Sequence, residues 1–122
     1  MESGREDGDM SETQLHQIKD EILSGIQNII GDRLHKIILY GSYARGDFHD
    51  DSDMDIMILA DVDDEEIHPH KKELRRMAGK IALENDVVIS MFLKNKKFFD
   101  EHVSVLPFYQ NVIKDRIALY DK

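Results

Sequence analysis

Two aspartates, Asp53 and Asp55, stand two residues apart at the head of the apolar run DMDIMILA. Alternate residues of a strand share a face, so a strand over Asp53 to Ala60 points both carboxylates the same way. Adjacent carboxylates repel unless a positive charge lies between them, and a hard divalent cation with oxygen ligands fits that need. Upstream, the apolar run Ile37-Ile38-Leu39-Tyr40 stops abruptly at Gly41-Ser42. Glycine lets the backbone come close to a ligand, a helix start there offers N–H donors to a phosphate, and Ser42 adds a hydroxyl. Metal and phosphate are the joint theme of this stretch.

Other acidic or glycine-rich sites fit less well. Counted from Asp51, carboxylates fall at positions one, three and five of a calcium loop. Position six, where glycine is required, is then Ile56, and position twelve, where glutamate belongs, is Val62. The chain contains no Gly-Lys-Ser/Thr string, so a Walker A loop is excluded. His68 and His70 flank Pro69 with no third ligand nearby in sequence and read as surface residues, and His49 reads as a solvated loop residue. Ser52 reads as a brace at the strand's entry.

Gly41-Ser42, ten further residues and Asp53-x-Asp55 resemble the signature of polymerase-beta-type nucleotidyltransferases. The fuller string GSYARG, an acidic loop and SDMDIMI resembles the minimal nucleotidyltransferase branch, the small partner in HEPN/MNT toxin–antitoxin pairs. This resemblance implies the nucleotidyltransferase fold, an α/β (α+β) architecture in which helices back a small twisted mixed sheet. It also implies two Mg2+ ions held by Asp53 and Asp55 at a nucleoside triphosphate, with ATP as donor. Gly41 and Ser42 would hold the β and γ phosphates, and Arg45 would neutralise charge as pyrophosphate leaves, in keeping with bidentate Arg–phosphate pairing. On the family pattern Asp86, opening DVVIS, takes the place of the third catalytic metal ligand. Here Asn85 precedes and Val87 follows it, unlike the commoner Val-Asp-Leu, and Glu84 competes if the strand is shifted by two residues.

The elements that must position these groups are legible as patterns. Residues 1–10 are acidic and nearly free of apolar residues, and are expected to be a disordered lead-in to a single domain over 11–122. Ser11 is an N-cap candidate with Gln14 as capping-box partner, and Leu15, Ile18, Ile22, Ile26 and Ile29 follow at helical spacing until Gly31-Asp32. His35 to Tyr40 reads as a buried strand, Ser42 as the start of a short helix, and Asp47 to Asp51 as loop. After an acidic turn over Asp61 to Glu66, a long helix carries Ile67, Leu74, Met77, Ala78 and Ile81 on one face. Its other face carries Lys71, Lys72, Arg75, Arg76 and Lys80, read as a solvated face with a docking surface for an acidic partner as the lesser reading. Asp86 to Leu93 reads as a third strand, Lys94 to Lys97 as a basic turn, and Phe98 to Val103 as a short helix. Phe108 to Lys114 reads as a last helix and Arg116 to Tyr120 as a strand or extended tail. The order suggests a mixed sheet with helices packed on one side. Phe98, Phe99, Leu106, Phe108 and Tyr109 read as core.

Composition narrows the function. With 16 Lys and Arg against 25 Asp and Glu, the net charge of −9 gives no general attraction for nucleic acid, so direct nucleic-acid binding is not expected. The 122 residues contain no cysteine, which excludes disulfides, thiolate metal sites and a cysteine nucleophile. No apolar run approaches a membrane span and the first ten residues have no signal core, so no membrane association and a cytoplasmic location are expected. One small domain leaves little chain for an acceptor site, which suggests that the acceptor arrives on another protein. By the resemblance it is a tyrosine of a HEPN ribonuclease toxin, and AMP transfer silences it. The alternatives are a non-catalytic antitoxin that blocks its partner sterically, and a nucleotidyltransferase acting on a small-molecule hydroxyl.

Overall fold

The computed structural model describes residues 11–49 and 51–122, so the expectation for residues 1–10 lies outside the described residues. The first amphipathic stretch forms α1 (Glu12–Ile30), opened by Ser11, whose hydroxyl accepts from the Gln14 backbone N–H at 3.1 Å. The Gln14 side chain donates to the Asn85 carbonyl at 3.5 Å instead of closing a capping box. Ile18, Ile22, Ile26 and Ile30 are buried, one stripe at helical spacing. Gly31 ends the helix with φ +69° and leads through a 3-10 turn (Gly31–Arg33) into β1 (Leu34–Tyr40).

A four-residue helix, α2 (Ser42–Arg45), joins β1 to β2 (Asp53–Ala60). The next helix, α3 (Asp64–Asn85), begins three residues inside the expected acidic turn because Asp63 and Glu66 close a reciprocal capping box. Then come β3 (Val88–Asn95), α4 (Lys96–His102), α5 (Pro107–Lys114) and β4 (Ile117–Asp121). The basic turn expected over Lys94 to Lys97 is the end of β3 and the start of α4, where the Asn95 side chain accepts from the Phe98 N–H at 2.8 Å. The C-terminal stretch left open between strand and tail is a strand: it pairs antiparallel with β1.

The sheet order is β3-β2-β1-β4, with β1 antiparallel to both β2 and β4 and β2 parallel to β3. The long α3 makes the crossover that a parallel pair requires. Helices cover both faces of the sheet, which corrects the one-sided packing expected from element order. Ile37, Leu39, Met54, Ile56 and Ile58 face α1 and α3, whereas Ile38, Tyr40, Met57 and Leu59 pack with Phe99, Tyr109 and Val112 of α4 and α5. The physical reason lies in β1 and β2 themselves: their apolar runs are continuous, so both faces of the two central strands must be buried. The aromatic cluster divides accordingly, with Phe99 and Tyr109 buried and Phe98 and Phe108 exposed.

Candidate active site

The two aspartates share the sheet face that carries α4 and α5. Alternation along β2 turns Met54 and Ile56 into the α1–α3 core, which leaves Asp53 and Asp55 on the opposite face, Asp53 exposed and Asp55 half-buried. Burial first, and then the charge of Asp53, raise the proton affinity of the Asp55 carboxyl above the ordinary aspartate range. On the neighbouring strand Tyr40 pairs with Asp55, and burial, reinforced by the Asp55 charge, holds its phenol protonated far above the usual range. The charged form of Asp55 is therefore disfavoured in a way that a nearby cation would relieve.

Gly41 presses its backbone against this carboxylate. Its φ of +74° suits glycine, and a Cβ added there would lie 2.6 Å from Asp55 Oδ2. The chain thus reverses from β1 into α2 directly over the acid, with Ser42 as the first helical residue. The loop between α2 and β2 is braced by Tyr43 stacked on Phe48 (ring centroids 4.1 Å apart) and by Ser52, whose hydroxyl accepts from the His49 N–H at 2.9 Å. Arg45 is engaged on arrival: its Nε donates to Asp47 and its NH1 group to Asp115, each at 3.1 Å. The Asp47 hydrogen bond, then that of Asp115, stabilise its charge. A guanidinium has five N–H donors, so Arg45 can turn further donors to an anion while tied to the end of α5.

Asp86 is placed differently from the expectation that it opens the third strand. It is the C-cap of α3, in the left-handed region at φ +54°, and β3 begins two residues later. Asp53 is level with Val88, and Asp55 with Ser90. Asp86 thus lies outside the strand, two residues before the one level with Asp53, and Glu84 lies within α3. Among the described residues no three His, Asp or Glu side chains stand close enough together to hold a metal. The donor set brought together is two carboxylates in a cradle that a Cβ at Gly41 would fill, with hard oxygen donors that fit Mg2+.

The parallel register also brings in residues that sequence reasoning passed over. Ser90 is level with Asp55 on the same face, and Phe92 with Met57. Phe92 meets Phe108 edge-on at 5.3 Å, and Phe108 meets Tyr40 at 6.2 Å, forming an aromatic wall beside the acids. The available signal was a lone serine inside the apolar run VVISMFL, which marks a place where that strand faces something other than core.

The nucleotidyltransferase domain family matches residues 19–119. The chain belongs to that family. A protein of Methanocaldococcus jannaschii, provisionally named a protein adenylyltransferase, is 32% identical over 82% of this chain and 92% of its own length. A second protein of that organism with the same provisional name is 34% identical over 72% of this chain and 91% of its own length. In fold, this nucleotidyltransferase is similar to a Sulfolobus solfataricus protein provisionally called a nucleotidyltransferase, with TM-score 0.61, 18% identity, and 91% and 86% of the two chains covered. It is likewise similar to a toxin–antitoxin crystal structure with AMP-PNP, with TM-score 0.55, 21% identity, and 85% and 73% covered.

Proposed function

We propose that this nucleotidyltransferase transfers AMP from ATP to a protein hydroxyl, a tyrosine of a HEPN ribonuclease toxin, and so acts as its antitoxin. The observation that carries the reading is the close approach of Gly41 to Asp55, where an added Cβ would lie 2.6 Å from Oδ2, which puts the Gly41-Ser42 turn beside the paired carboxylates. The provisional names of the M. jannaschii relatives support protein as acceptor, and the toxin–antitoxin fold neighbour suggests the partner.

In the proposed reaction the acceptor oxygen attacks the α phosphorus in line. The new O–P bond forms as the bond to pyrophosphate breaks, and the hydroxyl proton passes to solvent water. Asp53 and Asp55 would hold Mg2+, which when bound would supply Lewis-acid stabilisation of the attacking and leaving oxygens. The Gly41-Ser42 turn holds the outer phosphates, and Arg45 offsets the charge of departing pyrophosphate. Asp86, at the turn from α3 into β3, does not stand with the pair as a third donor among the described residues.

The test is intact-mass spectrometry of a purified HEPN toxin after incubation with the protein, ATP and Mg2+. One or more AMP additions, abolished by Asp53→Ala, are expected. Tight binding and toxin neutralisation without added mass, surviving Asp53→Ala with Asp55→Ala, would replace the enzyme reading with a steric antitoxin. AMP appearing on small alcohols but on no protein would move the acceptor to a small molecule.

A further inference from the structure

The outer edge of β3 carries an observation that catalysis by itself does not explain. Among the described residues β3 is an edge strand of eight residues with neither proline nor glycine. It exposes Val88 (57%) and Phe92 (39%), an apolar and open edge of the kind that proteins ordinarily blunt. A groove of about 430 Å³ runs along it, floored by Leu74, Ala78 and Ala82 of α3 and flanked by Lys71 and Arg75. Gly79 also lines the groove, and a Cβ there would project into open space, with nothing within 4 Å.

We infer that this edge takes an extended, acidic segment of the acceptor protein as a fifth strand, with its tyrosine level with Ser90. The inference rests on the proposed protein acceptor and names how it docks. Backbone groups of β3 supply the pairing, and alternate side chains supply specificity. One set of the segment's side chains fills the groove beneath β3, where the small residues of α3 leave room. The other set lies on the face of Asp53 and Asp55, because paired residues of parallel strands share a face. Two strand spacings, ~10 Å, separate such a segment from β2. Ser90, with its short side chain, keeps that gap open, so a long side chain ending in a hydroxyl can lean across to Asp55. Phe92, on the same face and exposed, offers its ring to the tyrosine. Charge supplies the remaining selection. Lys71 and Arg75 flank the groove, and Lys72 and Arg76 stand exposed beside them on α3, so acidic flanks are favoured over basic ones.

The probes are two synthetic ten-residue peptides, each with one central tyrosine and alternating valines, flanked by glutamates in one and lysines in the other. Hydrogen exchange without nucleotide reads docking, and mass spectrometry with ATP and Mg2+ reads AMP transfer. The glutamate peptide is expected to protect amides of Val88–Asn95 and to be modified about tenfold faster than the lysine peptide. Lys71→Glu with Arg75→Glu should invert that preference. Gly79→Leu should abolish both readouts while leaving the stabilisation by ATP and Mg2+ intact. AMP transfer without β3 protection, and unaffected by Gly79→Leu, would overturn the docking inference and leave the proposed function standing. Protection without any transfer would uphold docking and overturn the catalytic reading. Protection that grows with protein concentration in the absence of peptide would assign the edge to a second copy of this chain and overturn the inference.

Discussion

Replacing Gly41 with alanine tests the geometry of the site against a built-in control. Gly41 has φ +74° and ψ −153°, and Gly31 has nearly the same backbone, φ +69° and ψ −141°. Both lie in a region that side-chain-bearing residues avoid, at a cost of ~1–3 kcal/mol for each alanine. The two differ in surroundings: a Cβ at Gly31 meets nothing within 4 Å, whereas one at Gly41 meets Asp55 Oδ2 at 2.6 Å. To reach ordinary contact the carboxylate must retreat by roughly 1 Å. Turning it off its rotamer costs about 0.5–1.5 kcal/mol more. In urea denaturation Gly41→Ala should therefore be less stable than Gly31→Ala by that second amount. The excess should vanish when both are made in an Asp55→Ala background, because the clashing oxygen is gone. In the AMP-transfer assay, Gly41→Ala should lose about a hundredfold, the usual cost of a 1 Å misplacement, while Gly31→Ala stays close to wild type. Equal stability of the two variants, or an excess that survives in Asp55→Ala, would refute the contact on which the site is built.

Three further outcomes are expected. Asp55→Asn should raise the melting temperature of the metal-free protein, since burial and the Asp53 charge both oppose its ionisation, and should abolish transfer; a lowered melting temperature would contradict that opposition. Mg2+ should raise the melting temperature of the wild type at neutral pH, by ~2.7 kcal/mol of stability at a hundred times the dissociation constant, and leave that of Asp53→Asn with Asp55→Asn unmoved; chelation should reverse the gain. Glu66 is held below the usual glutamate range by the hydrogen bond from Arg33 and then by the Asp63 N–H. A carboxyl with a lowered folded-state pKa stabilises above its unfolded-state value and loses that contribution as pH falls through the folded one. Glu66→Gln should thus destabilise at neutral pH, with the two melting curves converging in acid; a constant gap across pH would assign the effect to packing.

Much of the fold was legible because the relevant signals are local. The helical stripe of Ile18, Ile22 and Ile26, the N-cap at Ser11 and the limits of β2 each depend on residues a few positions apart. The sidedness of the helices was less legible. Element order does not say which face α4 and α5 cover, although the unbroken apolar runs of β1 and β2 carried the information that both faces are buried. The start of β3 was misjudged by two residues because Asp86 adopts the left-handed conformation that ends α3, a choice fixed by the helix C-terminus and not by the β-branched residues after it.

Within the candidate site, sequence alone determined that Asp53 and Asp55 share a face, because the period of a strand is two whatever lies around it. It also marked Gly41-Ser42 as a turn suited to a phosphate, because the apolar run breaks there at a glycine. Tertiary structure decided what surrounds the pair. The approach of Gly41 to Asp55, the tie between Arg45 and Asp115, and the level of Ser90 beside Asp55 join segments far apart in the chain. Such contacts are set by strand register and by the α3 crossover, and a one-residue slip in that register would turn Ser90 away from the acids and bring a core residue in its place.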